Sequence, residues 1–413
     1  MKFKQNLTGA AEALFEYSET MPIIDTHEHI PVKEEYYINA PIQFGQMFNP
    51  YISNDLKSAG MPFPRDTWAA LVVVDDDWDA FEPYWNQAKF TSYARAFRIT
   101  LQKYFGEDDL TRENHKEIVQ KINDSLKPGV YDRILRQDCN IEWSIPCAGA
   151  LPDIDDPLLK GNISSPAMFC MSADQMKQLA AEAGTEIPKS LEDFEESARA
   201  WMTVQKEKGA ICFKSRAMRV ENPDRDKAAQ IFKRIMGGES LSELEAGHLE
   251  SWIREVSART AAELDVPMAL HTGVWNNYKN SDINDIVGFI DRNPDTRFDV
   301  YHMGIPKIRE SLQIAKNFEN AWLNMCWSHI VASDMTVNAM KEGFDMIPLN
   351  KIFAFGADYS LFIQKIYGHL FIARENISIV LGDRVDRNLL DLDTAKAIMK
   401  QWFYDNPKDF YKL

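Results

Sequence analysis

Five residues of the 413-residue chain stand out by type and position: His27 and His29 in MPIIDTHEHIP, His271 in VPMALHTG, His302 in FDVYHMG and Asp358 in IFAFGADYS. Each closes a short apolar run, where a buried strand would end and a loop begin. Side chains alternate along a strand, so His27 and His29 share a face, ~7 Å apart along the chain. Two imidazoles so placed can converge on Zn or another first-row divalent metal, and a carboxylate can complete the set. A metal-bound water has a pKa near about 7, which makes hydroxide available at neutral pH. Asp358 could ligate through one oxygen and accept a proton through the other. Any single histidine here reads as well as a satisfied polar cap; the joint pattern argues for a site.

Lys214, at the end of GAICFKSR, belongs to the same pattern with its role open. A lysine beside a divalent metal tends to lose its proton. It could be carbamylated and bridge two metals, stay cationic and hold a substrate carboxylate, or form a plain salt bridge.

The elements that must carry these residues alternate. Candidate strands are 23–30, 141–146, 167–171, 210–214, 267–271, 298–302, 321–326 and 352–358. Amphipathic stretches lie between them, at 191–207, 224–236, 241–264, 282–293, 308–318 and 335–346. Eight βα units predict an α/β fold, a (β/α)8 TIM barrel whose functional face gathers the C-terminal strand ends. One barrel domain over 1–413 is expected. A helical insertion follows the first strand at about 33–136, rich in aromatics including Tyr51, Trp85, Tyr93 and Phe97, and closing helices occupy about 389–413. The insertion reads as a subdomain with its own small core, and some of its aromatics could wall a substrate pocket.

Composition narrows the partners. A net charge of −16 and 45% apolar residues fit a globular enzyme and argue against nucleic acid. No run is long and apolar enough to suggest a membrane span and the N-terminus lacks a signal pattern, so a cytoplasmic protein is expected. The five cysteines are scattered without metal-ligand spacing and read as reduced structural thiols. A small-molecule substrate and a homo-oligomeric state are expected.

Taken in order, IDTHEH, FKSRAMR, ALHTG, YHMG and FGADYS resemble the amidohydrolase superfamily, and within it the amidohydrolase-2 branch, which is similar to uronate isomerases and metal-dependent decarboxylases. The resemblance runs through the strand ends of nearly the whole chain but not through 33–136. It implies a barrel with one or two divalent ions, most often Zn, and ligands at His27, His29 and Asp358, with others among Lys214, His271 and His302. In binuclear members the fourth-strand lysine is carbamylated. In mononuclear ones a fifth- or sixth-strand histidine often serves the substrate or a proton instead. Asp358, His302 and Lys214 are thus the expected catalytic groups.

The leading expectation is a metal-dependent hydrolase acting on a small polar or carboxylated substrate. The alternative is a mononuclear decarboxylase or a uronate-isomerase-like enzyme, and a barrel without catalysis is a third reading. Arg216 and Arg219 could grip a substrate carboxylate, and Trp275, Asn276, Asn277 and Tyr278 sit where a substrate loop would follow the fifth strand. Asp25 could orient a ligand histidine or be an ordinary strand polar group. His329 reads as a loop histidine without a role, and His115, His248 and His369 are assigned none. The acidic runs 75–77 and 153–156 read as solvated turns.

Overall fold

The computed structural model describes residues 2–7, 9–64, 74–216, 220, 222–273 and 281–413. It contains eight strands, every pairing parallel, with helices between them. The chain divides into two compact units, one of Met1–Pro146, Cys326–Asp345 and Ala354–Asp405, the other of Cys147–Met325, Met346–Phe353 and Asn406–Leu413.

The first unit is built on strand β1, Ile23–Glu28, all six residues of which are buried. It pairs with β2, Ile141–Pro146, in the register Ile23↔Ile141 and Asp25↔Ser144. On its other side runs the extended segment 354–359: Thr26 N donates to Phe355 O at 3.1 Å, Asp358 N to His27 O at 2.9 Å and His29 N to Tyr359 O at 3.1 Å. Gly356 permits this approach, because a Cβ there would lie 2.5 Å from Cys326 Cβ and 2.9 Å from His27 N.

The insertion after β1 is helical, as its spacing predicts: Ile52–Ser58, Trp78–Ala88, Ser92–Phe105 and His115–Asp124 are helices. Asp77 and Thr91 accept backbone N–H bonds at two of their starts. The insertion has its own core of Phe44, Phe48, Phe81, Trp85, Phe97 and Leu101, with Phe48 and Phe81 stacked at 4.8 Å. Phe362, from beyond the β1-paired segment, joins that cluster.

The second unit is a six-stranded parallel sheet in chain order: β3 Gly161–Ser164, β4 Ala210–Ser215, β5 Met268–His271, β6 Phe298–Tyr301, β7 Ala321–Asn324 and β8 Ile352–Phe353. Capping boxes open its helices Leu191–Glu207, at Ser190 and Asp193, and Glu243–Glu263, at Ser242 and Glu245.

Three expectations need correction. The third strand is 161–164, not 167–171; Pro166, which has no N–H for a ladder, starts a 3₁₀ turn over Pro166–Phe169. Its polar sequence hides it, since Asn162 is buried with its amide donating to Tyr301 Oη at 3.0 Å. The eighth strand keeps ladder geometry only through Phe353, and the 282–293 stretch splits into a 3₁₀ turn at Ile283–Ile286 and a helix at Val287–Arg292. The 22-residue helix Lys365–Asp386 has no counterpart among the expected helices. It is buried on nearly every face, so it shows no apolar stripe to read.

All five cysteines are buried and form no disulfide, and among the described residues no helix is long and apolar enough to cross a membrane. In the second unit, Asp299 is fully buried, accepts bonds from Tyr411 Oη and from Asn324 Nδ2, and is pushed up to about 7 by loss of hydration.

Two measurements follow from this packing. Gly356→Ala should destabilise by roughly 1–3 kcal/mol through overpacking, seen as a lower denaturation midpoint; an unchanged midpoint would refute the close approach. For Asp299, the folded carboxyl holds its proton to higher pH than the unfolded one. It therefore costs nothing below the ordinary aspartate range and subtracts stability as pH rises from about 4 to about 7. The stability of Asp299→Asn relative to the wild type should rise across that window and level off above it, which parallel denaturant titrations would reveal.

Candidate metal and substrate site

In the first unit three donor side chains converge. His27 and His29 place their rings 4.7 Å apart, edge to face, with their Nε2 atoms 3.3 and 3.4 Å from the same oxygen, Oδ1 of Asp358. These separations exceed the ~2.9 Å typical of a good N–H···O bond. His27 is fully buried and Asp358 nearly so, whereas the His29 side chain is 39% exposed and opens the cluster to one side. Two neutral imidazoles around one carboxylate oxygen are a donor set that fits a divalent first-row ion.

Asp358 is held in a left-handed backbone conformation, φ 61°, as is Trp327 at 64°. Non-glycine residues adopt this only where surroundings compel them, at a cost of about 1–2 kcal/mol. Here the compulsion is visible. The Asp358 N–H is bound to His27 O, and its carbonyl accepts the hydroxyl of Tyr51 from the insertion. The Tyr51 ring packs with Tyr93 at 5.2 Å and Trp327 at 4.9 Å, and those two rings lie 6.4 Å from each other. The segment leading to Tyr51 is fastened in turn by Lys365, whose buried amine donates to Met47 O at 3.2 Å and to Asn49 O, and faces the Tyr359 ring at 4.7 Å. Burial pulls that amine down to about 7.

Two carboxyls lie on the same strand. Asp25 accepts Ala357 N–H at 3.0 Å and Ser144 Oγ–H at 2.9 Å, while Glu28 accepts Tyr359 N–H at 2.8 Å. Burial pushes Asp25 up to about 7 and Glu28 well above its ordinary range, the latter also repelled by Asp25, and a hydrogen bond joins the pair. Asp25 and Glu28 therefore tie 357–359 to β1.

In the second unit, His302 Nε2 and His271 Nδ1 are 3.0 Å apart, both rings buried. The chain turns left-handed at His302, φ 67°, and Met303, φ 52°. That turn is held where Thr272 Oγ1 accepts Gly304 N–H at 3.1 Å and Ser311 Oγ–H donates to Met303 O at 2.6 Å. Lys214 Nζ lies 5.4 Å from the centre of the Tyr301 ring. Arg216 forms a two-pronged pair with Glu250, at 3.1 and 3.2 Å, and Arg254 joins Glu250 to Ser215, so the Arg216 fork is engaged within the protein. Arg219, Trp275, Asn276, Asn277 and Tyr278 lie outside the described residues.

Two further histidines, His329 and His369, have structural partners. His329 meets Ala354 O at 2.8 Å and Asn376 Nδ2 at 3.1 Å, and His369 meets Ala357 O at 3.1 Å. Burial holds them neutral, near about 4 and about 3. Sequence reasoning did not single out Tyr51, Lys365, Trp327 or Glu28. Tyr51 is one aromatic among many in the insertion, and no spacing marks the others as neighbours of Asp358.

Comparison with known proteins now bears on this geometry. Residues 227–413 match the family model Amidohydro_2, described as amidohydrolase. A curated relative, a uronate isomerase of Caldicellulosiruptor bescii, is 24% identical over 97% of this chain and 96% of its own length. Two solved structures share the fold. A uronate isomerase of Thermotoga maritima has a TM-score of 0.77 at 16% identity, covering 97% of each chain. A glucuronate isomerase of Caulobacter crescentus has a TM-score of 0.74 at 15% identity, covering 98% of this chain and 94% of its own. The fold is the (β/α)8 barrel expected from the strand order, with a helical insertion after β1. Residues 227–413 are thus similar to the amidohydrolase family, and the whole chain shares its fold with these uronate isomerases.

Proposed function

We propose that this chain is an aldose–ketose isomerase acting on a hexuronate, with a divalent metal held by His27, His29 and Asp358. The observation that carries the reading is the likeness to a uronate isomerase along nearly the full length of both chains, insertion included, beside an imidazole–carboxylate cluster suited to a metal. It favours isomerisation over hydrolysis, the first expectation from the sequence.

In such a reaction a proton moves from C2 to C1 of the open-chain sugar acid and the hydroxyl proton passes between their oxygens; no water is consumed. A bound divalent ion supplies Lewis acidity toward those oxygens. The protein's own groups position and move the protons. Asp358 would be both metal donor and proton acceptor, its main chain fixed by its bonds to His27 and Tyr51. The His302–His271 pair, joined at 3.0 Å, can take a proton on one ring while the other stabilises the charge. Lys214 offers a cation to the substrate carboxylate. Its place over the Tyr301 ring favours this role over a carbamate, because an aromatic face attracts a cation.

Metal-loaded protein assayed with D-glucuronate and D-galacturonate should form the ketose, and Asp358→Asn should lower kcat by ~10²–10⁴-fold. Turnover of a lactone, ester or amide panel without ketose formation would overturn the reading. Lys214→Ala should raise KM for the uronate far more than it lowers kcat, while elemental analysis still finds about one metal per chain. Two metals in the wild type falling to one or none in the variant would instead establish a bridging carbamate.

A further inference from the structure

The segment 354–359 carries Asp358 to the imidazoles without a regular ladder, so each of its buried carbonyls needs its own donor. Phe355, Gly356 and Tyr359 accept backbone N–H groups, from Thr26 at 3.1 Å, Trp327 at 2.9 Å and His29 at 3.1 Å. The Asp358 carbonyl accepts the Tyr51 hydroxyl. The carbonyls left, of Ala354 and Ala357, are met by imidazoles, His329 Nε2 at 2.8 Å and His369 Nδ1 at 3.1 Å. A carbonyl can only accept, so these ring nitrogens carry the protons and both tautomers are set. Asn376 Nδ2 then donates to His329 Nδ1 at 3.1 Å. His369 and Asn376 stand about two turns apart on the helix Lys365–Asp386 and share one face of it. That face is a template for the irregular segment.

His369 holds the peptide that matters most. Its Nδ1–H binds the carbonyl of the Ala357–Asp358 peptide unit, and the N–H of the same unit donates to His27 O at 2.9 Å. With that plane held at both ends, the Asp358 φ of 61° fixes where its Cβ points, and Oδ1 arrives 3.3 and 3.4 Å from the two Nε2 atoms of His27 and His29. The His369 ring is fully buried, against Phe355 at 5.1 Å and Tyr359 at 6.2 Å, and its Nε2 has no hydrogen-bond partner among the described residues. A side chain kept only to fill this space would not bring an unpaired buried nitrogen; a phenyl ring packs without that penalty. The imidazole therefore answers a need for the Nδ1–H bond.

We propose that His369 is a positioning residue for Asp358, its Nδ1–H orienting the Ala357–Asp358 peptide so that the carboxylate meets His27 and His29 where a divalent ion is held. The proposal rests on the reading of those three residues as metal donors and not on the reaction assigned to them.

Zn²⁺ affinity, by competition with a chromophoric chelator, and the visible spectrum of the Co²⁺-loaded protein test it, and neither needs turnover. His369→Phe keeps a ring and removes the donor; it should bind Zn²⁺ at least about tenfold more weakly and shift the Co²⁺ bands. His369→Asn puts an amide N–H where Nδ1 stood and should stay within about threefold of the wild type, whereas His369→Gln, with its amide set further out, should behave as His369→Phe does. Wild-type affinity and spectrum in a folded His369→Phe would overturn the proposal. If that variant does not fold, the amide pair decides, and equal Zn²⁺ affinity in His369→Asn and His369→Gln overturns it. Asp358→Asn separates the two readings. Zn²⁺ lost there but retained in His369→Phe refutes the positioning role alone, while Zn²⁺ affinity unchanged in Asp358→Asn refutes the metal site and the positioning role with it.

Discussion

The architecture of the first unit depends on one constraint: the imidazole of His27 in β1 and that of His29 just after it must meet one carboxylate oxygen of Asp358, from far along the chain. Extended strands cannot deliver this by regular geometry, since a side chain leaving a ladder points across the sheet, not along its edge. The chain therefore abandons regular strand geometry after Phe353 and crosses β1 at a glycine. It reaches Asp358 in a left-handed conformation fixed by backbone bonds to His27, His29 and Thr26. His302 shows the same device in the second unit, a left-handed turn directly after β6. Two candidate chemical residues, Asp358 and His302, thus carry left-handed backbone strain.

Such strain persists only if neighbours overdetermine it, and this gives the insertion its structural meaning. Its core holds Phe48, Phe81 and Trp85, but its reach into the site is through Tyr51, whose hydroxyl closes on the Asp358 carbonyl and whose ring packs with Tyr93 and Trp327. Lys365 secures the approach from below with two backbone carbonyls. Buried ionisable groups cluster here because each has a partner: Asp25 and Glu28 share a hydrogen bond, and His329 and His369 stay neutral against backbone carbonyls. A buried charge without such partners would cost more than the packing returns.

A His–His–Asp cluster does not by itself name a reaction, because one fold can host many chemistries. What separates these chemistries is how the substrate is held and where protons go. The reading toward isomerisation rests on likeness extending through the insertion as well as the strand ends.

The sequence by itself determined the parallel α/β class and the alternation of strands with helices, and it marked the donor-type residues that close apolar runs. Those features are local: an apolar run, a helical period, or a polar residue closing a strand can be read without knowing what lies opposite. Only the tertiary structure decided the rest. The strand 161–164 is polar in sequence because Asn162 finds Tyr301 in the core, and the helix Lys365–Asp386 lacks an apolar stripe because every face is covered. Arg216 is matched to Glu250, and Tyr51 to a backbone carbonyl 307 residues away. Each of these depends on contacts between distant segments, and a hydrogen bond or a buried face has no signature in the sequence until its partner is in place.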